Sequence, residues 1–242
     1  MRIGPLLRRR TTWLIGVPAL LAVALVGGSW LYLNVLRDDP PPRLTLDDAT
    51  TSTSSAAGTA GVSTPTTVPE GIEGTWMLQQ GSQAGYRAKE VLFGQSGEAV
   101  GRTSDVSGVM QITGTTVTSV DVSVLMESVE SDESRRDGQF RGRIMDVSTY
   151  PTATFKLTSP IELGSVPEEG ATSTYSATGE LTLRGVKRTV TFDLQARRTA
   201  TTIGVSALIP VSFDDFAIPD ASGGPARVGR DGEIELLLVF GR

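Results

Sequence analysis

Two hydrophobic patterns divide the chain. From Trp13 to Leu36 apolar residues follow one another without a single formal charge. A bilayer core of roughly 30 Å needs about 20 such residues in a helix, so the pattern predicts a membrane-spanning helix over 13–36. Trp13 at one end and Trp30 and Tyr32 near the other suit the membrane interfaces. After residue 73 a period of two takes over. Val120, Val122, Val124 and Met126 are interleaved with Ser119, Asp121 and Ser123. The same alternation runs through Tyr175–Leu183, Val190–Ala196, Ile203–Ile209 and Ile234–Phe240. It predicts strands with one buried and one wet face, about eight to ten of them. Leu237 and Val239 make the last run apolar on both faces, so part of it should be covered on both sides. Gly114-Thr115 and Arg184-Gly185 fall between runs as hairpin turns. Only Ser131–Phe140 breaks the pattern: it is polar, poor in β-formers and opens on good N-cap residues, which predicts a short helix crossing one end of the sheet. Antiparallel strands in this number leave a closed barrel or a sandwich.

Between the two regimes, residues 37–72 are rich in Pro, Ser, Thr and Gly, from Pro40-Pro41-Pro42 to Pro69. Such a stretch buries too little apolar surface to offset its ordering entropy and is expected to be a disordered linker. About 36 flexible residues reach roughly 30–36 Å. The expected organisation is therefore a basic cytoplasmic tail (1–12), a transmembrane anchor (13–36), a linker (37–72) and one β domain (73–242). Arg8-Arg9-Arg10 ahead of the apolar stretch place the N-terminus in the cytoplasm and the β domain outside the plasma membrane, single-pass. A cleaved signal peptide is the rival reading. The small residues of Val26–Ser29 offer a cleavage site, but Trp30-Leu31-Tyr32-Leu33 carries the apolar run past it.

Composition narrows the chemistry. The chain has neither Cys nor His, which removes disulfides, thiolate or imidazole metal ligands, cysteine nucleophiles and Ser-His-Asp triads. With Lys and Arg numbering 22 against 27 Asp and Glu, the net charge is −5. That balance argues against a sequence-independent grip on nucleic acid. Without Cys and His most familiar enzyme mechanisms are excluded, and no cofactor, no metal and no nucleic-acid partner are expected.

The remaining candidates each have a plain structural reading. Asp214-Asp215 is the best carboxylate pair for a hydrolase, but adjacent acids on a strand point to opposite faces, and a loop accounts for them. Arg135-Arg136-Asp137 offers bidentate donors for a phosphate head group, against a solvated helix face with local ion pairs. Gly223-Gly224-Pro225 lacks the strand-to-helix setting of a phosphate loop. Arg184, Lys187 and Arg188 form a small basic cluster at a turn. The alternating apolar positions themselves fit either an ordinary core or the wall of a ligand tunnel. A small barrel can be filled by side chains or hold one ligand.

Five pieces of sequence, in order, resemble the YceI family of lipid- and polyisoprenoid-binding barrels. They are Gly74-Thr75-Trp76-Met77-Leu78, the stretch from Arg102 to Gly108, the strand Val120–Glu127 with the following Ser131–Asp137, Tyr150-Pro151-Thr152-Ala153-Thr154-Phe155, and Gly179-Glu180-Leu181-Thr182-Leu183-Arg184-Gly185-Val186. The last is the most specific. A departure lies near the opening strand, where many members carry Asp and His and this chain reads Gln79 to Tyr86 without either. The resemblance implies an all-β, extended, antiparallel, lipocalin-like barrel with a short helix. It also implies an apolar isoprenoid lipid as partner, with no reaction. Its lumen is expected to include Val122, Val124, Phe155, Leu181, Leu183 and Phe192. Together with the anchor, this gives an extracytoplasmic, membrane-tethered lipid carrier or buffer. The alternative is an envelope interaction module with a filled, ligand-free barrel.

Overall fold

Period-two segments fold as strands where alternate side chains can share one dry interior, and the computed structural model has twelve strands among its described residues. It describes residues 40–53 and 71–242. The tail, the anchor and the signal-peptide alternative lie outside the described residues, within which no helix is long and apolar enough to cross a membrane.

The strands are β1 (Gly74–Leu78), β2 (Gln83–Leu92), β3 (Gln95–Thr103), β4 (Val106–Thr113), β5 (Thr116–Leu125), β6 (Glu130–Ser131), β7 (Thr152–Ser159), β8 (Ile161–Glu162), β9 (Thr172–Leu183), β10 (Val186–Arg198), β11 (Thr202–Ser212) and β12 (Ala226–Gly241). Eight of them close an antiparallel barrel in the order β1-β4-β5-β7-β9-β10-β11-β12, with β12 returning to β1 through Phe240 opposite Leu78. Strand β12 is long enough to serve two neighbours on one edge. Its first part pairs with β2 and its last residues with β1. Strands β2, β3 and β6 extend the sheet beyond the closed ring. The count exceeds the eight to ten expected because β6 and β8 have two residues each, too few to display a period.

The expected turns fall between β4 and β5 and between β9 and β10. Arg184 and Gly185 both have positive φ, 47° and 75°, as a two-residue type I′ hairpin requires. The helix expected at 131–140 is α2 (Ser134–Gln139), continued by a π-helical turn over Phe140–Ile144. Its N-cap is Glu133, whose carboxylate accepts from the Arg135 amide. Phe140 drops into the core and stacks on Tyr86, with ring centroids 5.1 Å apart.

The stretch read as a disordered linker differs from expectation over residues 40–53, which include a helix, α1 (Leu46–Thr53), and lie on the outside of the barrel. Asp48 accepts from both the amide and hydroxyl of Thr45, at 2.8 and 2.9 Å, the return half of a capping box. Leu44 and Leu46 pack on Leu237, on the outer face of β12. This is the cover that the doubly apolar final strand calls for. Two leucines diluted among polar residues suffice because the barrel supplies both an apolar patch and polar partners for the backbone. Arg87 donates to the Pro41 carbonyl at 2.7 Å and Arg102 to that of Pro42.

Candidate functional site

The interior is built by parity. On β9 the inward positions are Tyr175, Ala177, Gly179, Leu181 and Leu183, and on β10 they are Val190, Phe192, Leu194 and Ala196. Small residues leave room at chosen points. A Cβ on Gly179 would collide with the Phe155 ring and with the Lys156 carbonyl, and one on Gly185 would lie 2.5 Å from the Tyr150 ring. The Tyr-Pro-x-x-x-Phe piece and the glycine hairpin, separate in sequence, are thus one packing unit. Arg184 completes it with its guanidinium 5.7 Å from the Tyr150 centroid.

One end of the barrel is plugged. Phe140, Met145 and Val147 from the helical segment and Phe216 and Ile218 from the turn after β11 are all buried in the common core. Arg184 ties that turn down by donating to the Ala217 carbonyl at 3.0 Å. Toward the other end runs an apolar cavity, walled by residues such as Met110, Val122, Phe155, Ala177, Phe192, Val205 and Leu236 and flanked by Ile72, Pro167 and Arg198. Its volume is about 100 Å³ on the scale where one water centre fills about 10–15 Å³. Counting every crevice between side chains out to the mouth gives about 950 Å³. The smaller figure describes the open bore. The larger one includes open solvent and the packing crevices between side chains. The tunnel is slender, with an almost wholly apolar wall.

Of the six expected lumen residues, Val122, Phe155 and Phe192 stand together in this wall. Phe155 and Phe192 meet edge to face at 5.4 Å. Leu181 and Leu183 are buried in the core but outside the cavity wall, and Val124 is half-buried against the core, also outside it. Among wall residues missed by sequence reasoning, Arg198 is prominent. It extends the inward parity of Val190–Ala196 by one step, but as a charged residue it was not counted in an apolar run.

The polar candidates take the plainer reading. Asp214 and Asp215 lie in a 3-10 turn (Asp214–Phe216), where Asp214 pairs with Arg230. Arg136 is engaged by Asp132 and, at 3.3 Å, by Glu90. Asp137 is buried, accepting from the Ser131 amide and hydroxyl at 2.9 and 2.6 Å. Lys187 pairs with Glu180, and Arg188 donates to the Lys187 carbonyl. Gly223 bridges to Ala226 in a local turn. Beside the helical plug, burial, partly opposed by Arg136 and reinforced by Asp137, Asp132 and Glu90, pushes the Tyr86 phenol up to about 12.

The most buried charge lies on the outside of the barrel. Glu235 is 0% exposed and bridges Arg87 and Arg102, each at 2.7 Å, while Arg87 also reaches Glu98 at 2.6 Å. Burial would lower the Arg87 pKa, but the hydrogen bonds that Arg87 donates to Glu235 and Glu98 outweigh it and raise it. Residues 40–44 cover this cluster. It holds residues 40–53, a strap across the outside of the barrel, and nothing in its geometry offers a reactive carboxylate.

Solved structures with a similar fold include a polyisoprenoid binding domain from Saccharophagus degradans implicated in plant cell wall breakdown. It is 15% identical with a TM-score of 0.55, over 69% of this chain and 97% of that one. BcnA of Burkholderia cenocepacia is 20% identical with a TM-score of 0.53, over 67% of this chain and 98% of that one. No curated protein matches the chain. The family model described as the YceI-like domain matches residues 76–240, from the tryptophan of β1 to the last core phenylalanine of β12, and the chain belongs to the YceI-like family.

Proposed function

We propose that the chain is a lipid-binding protein whose barrel holds a long apolar chain, a polyisoprenoid, and exchanges it with a membrane. The observation that carries this reading is the slender apolar tunnel between the plug and the Arg198 end. The S. degradans relative, a polyisoprenoid binding domain of the same fold, supports the choice of ligand. Burying about 20 methylene-sized groups would yield roughly 16 kcal/mol from water, at about 0.8 kcal/mol each. A lipid arriving from a bilayer gains little of this, because it leaves surroundings as apolar as the tunnel. Affinity then rests on close packing and on contacts at the mouth, set against the cost of ordering the chain. Such a balance suits a carrier or buffer that loads and unloads without chemistry. The bore is narrow, so the ligand enters by turning flexible wall side chains such as Met110 and Leu194. Tethering by residues 13–36, with the barrel on the extracytoplasmic side, is part of the same proposal and rests on the apolar run and the arginines before it.

The test is solvent extraction of the purified chain from isoprenoid-rich membranes, followed by mass spectrometry. Near-stoichiometric isoprenoid lipid is expected. Protein recovered without any lipid would favour a filled scaffold that serves protein contacts.

A further inference from the structure

Among the described residues that line the cavity, Arg198 alone carries a formal charge. Its position follows from β10, where every second side chain from Val190 onward faces inward. It sits where the tunnel meets solvent, 23% exposed. Two contacts fix it: its Nε donates to the Pro167 carbonyl, and its own carbonyl accepts from the Gly170 amide at 2.9 Å. Its charge is met by Glu169 at 3.3 Å, a carboxylate that is itself 54% exposed. Pro167 and Glu169 belong to the loop between β8 and β9. That loop has glycines near both ends, Gly164 and Gly170, with φ of 75° and 78° and no neighbour within 4 Å of where a Cβ would stand. Both glycines take the left-handed conformation on the open side of the loop, and Arg198 is what latches the residues between them.

We propose that Arg198 is the head-group residue of the tunnel: the anionic end of a lipid takes the place of Glu169 on its guanidinium, and the loop from Gly164 to Gly170 is released as it does so. This rests on the lipid-binding reading and adds the ligand's class, an apolar chain ending in an anion such as a phosphate. Glu169 already occupies the position as an exposed, easily displaced carboxylate. A phosphate brings more charge and accepts two parallel hydrogen bonds from a guanidinium. An apolar tail in the tunnel adds what a free anion lacks.

The test uses the full-length chain in zwitterionic phosphatidylcholine vesicles and two tritiated probes of equal tail length, geranylgeranyl monophosphate and geranylgeraniol. Retention by the captured protein should favour the phosphate about tenfold. Arg198→Met should reduce that preference below twofold. Arg198→Lys should keep part of the preference, and Glu169→Gln should strengthen retention of the phosphate. Inorganic phosphate at equal concentration should fail to compete. Equal retention of both probes by the parent chain overturns the assignment, as does a preference that survives Arg198→Met. Competition by inorganic phosphate as strong as by the lipid overturns it too, reducing the site to a surface anion contact. Retention of neither probe refutes lipid binding itself, and this inference with it.

Discussion

Val122→Trp separates a tunnel from a packed core. Val122 is 4% exposed, faces inward from β5 between Gly108 on β4 and Phe155 on β7, and lies in the cavity wall. An indole exceeds an isopropyl group by roughly three water volumes, ~90 Å³ at about 30 Å³ each. On the scale used for the bore, where one water takes about 10–15 Å³, three waters fill about 30–45 Å³, a third to a half of the open bore of about 100 Å³. A ring that enters the bore finds apolar contacts and leaves the backbone in place. The cost should then stay below about 1 kcal/mol, since the overpacking penalty of about 1–3 kcal/mol applies to filled cores. At about 2–4 °C per kcal/mol for a domain of this size, melting should stay within about 4 °C of the parent, against a fall of up to about 12 °C for a filled core. Scanning calorimetry reads the first quantity, and extracted lipid per mole of protein reads the second. The expected pair is near-normal melting with lipid lost. Near-normal melting with a full complement of lipid would take Val122 out of the ligand's path. A fall of about 10 °C, with no lipid in either protein, would refute the tunnel.

Two further substitutions probe the supporting structure. Glu235→Ala leaves Arg87 and Arg102 facing each other with only Glu98 and the strap carbonyls as partners. It should cost about 3 kcal/mol, the lower end of the range for breaking a buried ion pair, and unchanged denaturant unfolding would show that the cluster contributes nothing. The Tyr86 phenol, raised by burial to about 12, keeps its proton in the folded state after the unfolded chain has released its own near pH 10. Its contribution is complete below about pH 10 and is lost as pH rises toward about 12. Tyr86→Phe should flatten that part of the stability profile, and an identical alkaline decline in both proteins would assign it to other groups.

The strands were legible because a barrel wall obeys the same parity as its sequence, and Val190, Phe192, Leu194 and Ala196 all face inward as read. Parity tells which face a residue occupies and nothing about where along the barrel the void lies. That depends on the plug, which reaches the barrel end from α2 and from the turn after β11. Leu181 and Leu183 therefore have the expected face but lie outside the cavity wall, whereas Phe155 and Phe192 lie in it. Arg198 escaped notice for a chemical reason, since an apolar count stops at the first charge even where the parity continues. The strap escaped for a statistical one. Averaged over residues 37–72, Leu44 and Leu46 vanish among prolines and hydroxyls, and the patch that receives them, Leu237 with Arg87, Arg102 and Glu235, is scattered over three strands.

The strap also separates two meanings of the word domain. By likeness to its family the module begins at Trp76, but the unit that packs together begins at Pro40. Its first fourteen residues sit on strands that come more than thirty residues later in the chain. Their occupancy of the barrel is a matter of local concentration. While the peptide chain is intact, the strap is held near its groove at an effective concentration on the order of millimolar. A single cut between residues 53 and 71 would remove that advantage and turn docking into an ordinary encounter between two molecules. Glu235 and Arg87, buried until then, would be opened to water by a cleavage that touches no residue of the barrel.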